Sequence, residues 1–133
     1  MVDAIISIND DHNSPKVNLD EISTFKINIK NNNPKTVLIR ITALLGKEYE
    51  NIQTRDFMIT SAKDKRLLTR QILLNKFSEK EYYFNAKMVL GGNFETTFKV
   101  EFMENTYKKI NIDNVPFKVI PNSIVLIEDY YNC

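Results

Sequence analysis

Two apolar–polar alternations separated by Gly91-Gly92 constrain this chain more than any other feature. Before the glycines, Tyr82, Phe84, Ala86, Met88 and Leu90 alternate with Tyr83, Asn85, Lys87 and Val89. After them, Phe94, Thr96, Phe98, Val100 and Phe102 alternate with Glu95, Thr97, Lys99, Glu101 and Met103. Successive side chains of a strand point to opposite faces, so a period of two describes strands with one face on a core. Two such runs across Gly-Gly predict a β-hairpin, because the tight turn needs positive φ at its central residues. Phe84, Phe98 and Val100 are then expected as core residues on paired central strands.

The same period recurs along the chain. Phe25, Ile27 and Ile29 alternate with Lys26, Asn28 and Lys30, and Asn31-Asn32-Asn33-Pro34 ends that run in a turn. Val37, Ile39, Ile41, Ala43 and Leu45 form the next inward face; Leu38 and Leu44 opposite them predict a central or covered strand. Arg55 to Thr60 is a short candidate with Phe57 and Ile59 on one side. Leu67 to Leu74 fits a helix or a strand; strand is favoured because its neighbours are strands. After a polar turn at Asn105-Thr106, Ile110 to Ile120 and Ile124 to Tyr131 supply further strands. Pro116 and Pro121 confine these to sheet edges or breaks. With Ala4–Ile8 the count is eight or nine strands. The expectation is one domain over residues 1–133, all-β, an antiparallel immunoglobulin-like sandwich, with an eight-stranded jelly roll as the alternative.

Charge narrows the partners. Eighteen Lys and Arg against 17 Asp and Glu leave a formal charge of +1. That balance removes the long-range field of a nucleic-acid or anionic-membrane binder. Apolar runs fall short of the roughly 18 residues that span a bilayer, and the first residues lack the basic start of a signal peptide. Cytoplasmic synthesis is therefore expected, with possible incorporation into an external or virion structure. Lysine outnumbers arginine 14 to 4, and Asn and Ile reach 16 each, the skew of an AT-rich genome. The single cysteine, Cys133, allows no disulfide within these residues and is expected to be an exposed thiol.

Catalytic, cofactor and metal chemistry is not assigned to any residue. His12, the one histidine, lies in an acidic polar stretch and reads as a solvated loop residue. Asp10, Asp11, Asp20 and Glu21 lack the spacing of a calcium loop, and Glu128-Asp129 is likewise read as surface charge. Lys63, Lys65, Arg66 and Arg70 form the one local basic cluster, without the interleaved aromatics of a nucleic-acid groove. Tyr83, Tyr107, Tyr130 and Tyr131 could stack on sugars, but strand-end tyrosines mostly pack against their own domain. Gly91-Gly92 opens no helix and so is no phosphate cradle.

From Phe25 to Leu90 the order of features resembles a bacterial immunoglobulin-like module of the CARDB, cell-adhesion-related type. The pieces are Phe25-Lys26-Ile27-Asn28-Ile29-Lys30 with its Asn-Pro turn, an aliphatic strand, and Glu81-Tyr82-Tyr83-Phe84-Asn85-Ala86. The resemblance implies that Tyr82 acts as a tyrosine corner, its hydroxyl on backbone. It also implies adhesion, spacing or shell-building rather than catalysis. Two functional classes follow. One is a structural subunit of a phage, viral, spore or cell-surface assembly that self-associates through sheet edges or terminal strands, as a homo-oligomer or with another subunit. The other is a monomeric binding or inhibitor module presenting loops to a protein or glycan. Enzyme activity is not expected. Far-UV circular dichroism should be dominated by β-structure; helix above about a third, the soluble-protein average, would overturn this reading.

Overall fold

The structure, a computed structural model, describes residues 2–104 and 107–121. The expected strand Ile124–Tyr131, the charges Glu128-Asp129, the turn residues Asn105-Thr106 and Cys133 lie outside them. Ten strands run in chain order: β1 (Val2–Ile8), β2 (Lys16–Asn18), β3 (Ile22–Asn31), β4 (Val37–Leu45), β5 (Tyr49–Gln53), β6 (Met58–Ala62), β7 (Lys65–Leu74), β8 (Glu79–Met88), β9 (Gly92–Glu104) and β10 (Tyr107–Ile120). They form a four-stranded sheet ordered β1-β3-β8-β5 and a six-stranded sheet ordered β2-β10-β9-β4-β7-β6. All pairings are antiparallel except β2 with β10, so the first segment of the chain serves both sheets. This is an immunoglobulin-like sandwich, and the unequal four-plus-six layers replace the jelly-roll alternative. The strands beyond the expected eight or nine are β2 and β5, which are too short to show a period. Leu67–Leu74 is strand, as its neighbours required.

Gly91-Gly92 is not a hairpin. β8 pairs with β3 and β5, whereas β9 pairs with β4 and β10. The glycines therefore carry the chain from one sheet to the other. Only Gly92 has positive φ (131°), where the tight turn needs two such residues. Phe84 and Phe98, both fully buried, face each other across the core with ring centroids 6.0 Å apart. Alternation reports that each run has a buried face; it is silent on whether two buried faces are adjacent or opposed. β9 instead forms a hairpin with β10, whose ladder begins at Glu104↔Tyr107.

Between the sheets runs a string of rings. Phe25 and Phe84 stack at 4.9 Å, Phe25 meets Phe117 edge-on at 5.8 Å, and Phe57 lies 6.0 Å from Phe98. Phe57 precedes β6 and is buried, but Ile59, expected beside it, is 41% exposed. Tyr82 is not a tyrosine corner. Its ring packs on Phe57 and lies under the Arg70 guanidinium, 5.2 Å away, and its hydroxyl makes no backbone bond among the described residues.

The Asn-rich turn conceals a buried hub. Asn31 is fully buried; its Nδ2 donates to the carbonyls of Lys35, Leu74 and Asn75 at 2.9, 3.1 and 3.1 Å. Its Oδ1 accepts from the backbone N–H and the Nδ2 of Asn33, both at 2.9 Å. One side chain thus ties β3 of the small sheet to the end of β7 in the large one. Asn32 is exposed, and its side chain donates to the Asp3 carboxylate at 2.6 Å.

Three substitutions test this packing in thermal or denaturant melts. Phe98→Ala should cost on the order of 3–5 kcal/mol, as buried aromatic truncations do. Asn31→Ala should cost about 2 kcal/mol or more by orphaning buried carbonyls, whereas Asn32→Ala should stay within about 0.5 kcal/mol. Equal effects at Asn31 and Asn32 would show that the turn is held by its backbone alone.

Candidate interaction surface

The outer face of the six-stranded sheet is built by residues that alternate with the core positions of β4, β7 and β9. Register places Leu73, Leu38 and Met103 in one row across three strands. The next row is Gln71, Arg40 and Glu101; further along, Thr60, Leu67 and Leu44 align across β6, β7 and β4. Leu73 (71%), Leu44 (59%) and Met103 (48%) are exposed, so two apolar rows flank a polar band made of the Gln71 row and of Thr69, Thr42 and Lys99. Larger apolar patches on a soluble surface mark contact sites more often than isolated leucines do.

Within the polar row, Glu101 is buried although it points outward. Arg40 grips it as a fork: Nε and Nη2 donate to Oε1 at 3.2 and 3.0 Å, and Nη2 to Oε2 at 3.1 Å. Lys99 Nζ adds a second cation at 4.0 Å. Bidentate geometry fixes the guanidinium plane. Leu38, Gln71 and Met103 border a recess beside this pair, with a cavity of about 100 Å³. The pairing was not visible in sequence, because it depends on the β4–β9 register across 61 residues.

At the margin of this face lies β6. All five of its residues are exposed, Met58 by 75%. Among the described residues it pairs only with β7, and alternate N–H and C=O groups of such a strand point away from the sheet.

The other candidate residues separate. Arg66 turns inward, with Nη2 bonded to the carbonyls of Gly46 (2.6 Å) and Tyr49. Arg70 donates to the Asp56 carbonyl at 3.2 Å and covers Tyr82. The basic cluster is thereby divided, with Lys63 and Lys65 alone projecting freely at the β6–β7 turn. His12 is exposed. Asp10 pairs with Lys26 at 3.1 Å, Asp11 accepts the Asn13 N–H at 2.9 Å, and Glu21 accepts from Asn18 at 3.0 Å. Among the described residues no three His, Cys, Asp or Glu side chains converge as a metal site would require. Tyr83 is half exposed and held through its backbone by Asp56 and Thr54.

Two buried tyrosines carry the clearest electrostatic signature. Burial pushes the Tyr49 phenol well above its ordinary value of 10. Tyr82 is raised by burial as well, with Arg70 opposing and Asp56 adding to the shift.

No family model matches the chain. No curated protein matches it in sequence. Solved structures match it in fold. A PapD-like domain of human CEP192 superposes with a TM-score of 0.54 at 13% identity, over 87% of this chain and 85% of that domain. A CARDB domain from Pyrococcus furiosus, in complex with di-metal ions, gives 0.53 at 13% identity over 90% and 89%. BcpA, the major pilin subunit of Bacillus cereus, gives 0.55 at 12% identity; the match covers 90% of this chain and 40% of the pilin. The CARDB-type resemblance read from half the sequence thus holds, as a fold, over nine-tenths of the chain.

The tyrosines generate a pH dependence. Their protonated form is neutral, and burial favours it. Below pH 10 folded and unfolded chains both keep these protons, so stability is unaffected. Above it the unfolded chain ionises while buried Tyr49 does not, which costs the folded state about 1.4 kcal/mol per pH unit. Melting temperature should fall as pH rises above 10, and more gently in Tyr49→Phe. An identical slope in that variant would show that Tyr49 ionises in the folded protein.

Proposed function

We propose that this chain is a structural module that self-associates, a β-sandwich subunit of a phage, viral, spore or cell-surface assembly. The observation that carries the proposal is β6, an uncharged edge strand whose five residues are all exposed, bordering an outer face with apolar rows. Monomeric proteins blunt such edges with charge, proline, bulges or cover, since an open edge templates pairing with another chain. Keeping one open is consistent with its use as a joint. The pilin subunit of Bacillus cereus shares this fold, which agrees with the proposal without establishing it.

A second reading uses the same face to hold a different protein or a glycan, with the chain itself monomeric. The Arg40–Glu101 fork favours it, because a rigid charge-paired platform between apolar rows is suited to oriented contact. In neither reading does the chain carry chemistry; its work is contact. Multi-angle light scattering over a concentration series, with reductant present to silence Cys133, separates the two. Mass should rise with concentration for the assembly module. A strict monomer at high concentration would overturn the assembly reading and leave the binding module.

A further inference from the structure

We infer that the partner of the β6 edge is the segment Ile124–Ile127 of a second copy of this chain, which would add to that edge as a seventh strand. The inference deepens the assembly reading and rests on it.

Comparison of the four sheet edges selects β6. The outer side of β1 is closed by the other sheet: the Ile6 N–H donates to the Asp113 carboxylate of β10 at 3.0 Å. β5 carries Glu50, a register shift between Glu50 and Gln53, and Asn51 at φ 51°, so it is bulged and charged. β2 has three residues, begins with Lys16 and follows Pro15, and the rest of β10, which β2 leaves uncovered, carries Lys108, Lys109, Asp113 and Pro116. Each of these devices discourages an incoming strand. β6, Met58-Ile59-Thr60-Ser61-Ala62, has none: no charge, no proline and an unbroken ladder to β7.

The two faces of β6 describe the missing strand. Met58 is exposed on the outer face, near Leu67 and Leu44. Ile59 lies on the opposite side with buried Leu68, yet is 41% exposed. A strand added here meets apolar side chains above and below. An ordinary half-buried strand, with one polar face, would leave one of those contacts unsatisfied. Ile124-Val125-Leu126-Ile127 is apolar at consecutive positions and hence on both faces.

Distance excludes the same chain's own segment. β10 ends at Ile120, and in the order β10-β9-β4-β7-β6 an added strand lies five spacings from it. At roughly 4.8 Å per spacing that is about 24 Å. Four residues from Ile120 to Ile124 span at most about 14 Å, fully extended. Ile124 therefore cannot lie beside its own β6, whereas a neighbour's β6 carries no such limit.

Complementation in the full-length chain tests the pairing. Ile59→Lys with Thr60→Lys places charge on two exposed edge positions and disables the acceptor; Val125→Asp with Ile127→Asp disables the donor. Circular dichroism confirms that each variant is folded, and Leu126→Pro serves as a second donor variant. By light scattering with reductant, each variant alone should be monomeric where the parent associates. An equimolar mixture should form a one-to-one dimer of twice the monomer mass, since each chain retains what the other lacks. If the parent associates and the edge variants do so equally, or the mixture stays monomeric, this pairing is overturned while the assembly reading stands. If the parent is itself monomeric throughout the series, both fall.

Discussion

Phe25 and Phe84 lie side by side on neighbouring strands of the small sheet and stack almost parallel, with 4° between their planes. From that pair, contacts cross to Phe117 and Phe98 in the large sheet, and Phe57 closes against Phe84 and Phe98 from the loop before β6. Immunoglobulin domains commonly fasten their sheets with a disulfide packed on tryptophan. Here the sequence has no tryptophan, and its one cysteine is residue 133. The phenylalanine string takes that role. Each aromatic pair contributes about 0.5–1.5 kcal/mol beyond its buried area, so the fastening is distributed and has no single covalent bond. Phe57 matters beyond packing: its burial anchors the chain just before β6 and so fixes where the open edge sits.

The alternations of β3, β4, β8 and β9 were legible because each strand has one face on the core, a local property written in every second residue. What joined them was not legible. Phe84 and Phe98 read as cross-strand neighbours and are in fact opposed across the sandwich, a difference that leaves each strand's pattern unchanged. β2 and β5 escaped notice since three or five residues carry no period. The Arg40–Glu101 fork and the Asn31 hub depend on register and on which asparagine turns inward. Asn31, Asn32 and Asn33 are identical in type, and only the tertiary setting buries Asn31 and Asn33 and leaves Asn32 exposed. Tyr82 shows the opposite failure. A motif suggested a hydroxyl contact, but the ring was recruited by Arg70 and Phe57 instead.

The edges show where the fold resists addition and where it does not. Three devices of different kinds protect β1, β2 and β5: a carboxylate from the facing sheet, shortness beside proline, and a bulge with charge. Asp113 is instructive, since it reaches a backbone N–H of the other layer and so holds the sheets together while closing an edge. With three edges protected by three routes, the bare fourth is a local exception within a chain that otherwise guards its edges.

The open edge and the exit of β10 lie towards opposite sides of the six-stranded sheet. Donor and acceptor are therefore different surfaces of one subunit, so contacts between copies would be heterologous and directional. Such contacts close into rings only when the rotation per subunit happens to permit it, and otherwise propagate as filaments. The tether sets the spacing. Pro121-Asn122-Ser123 can extend over about 11 Å at most, so a donated strand would draw the two sandwiches nearly into contact. Body-to-body contact at that distance would fall beside Met58, Leu67 and Leu44, exposed apolar residues of the outer face near the edge. Strand addition and burial of that row would then be one event, in which the backbone ladder supplies direction and the buried apolar side chains supply the hydrophobic driving force.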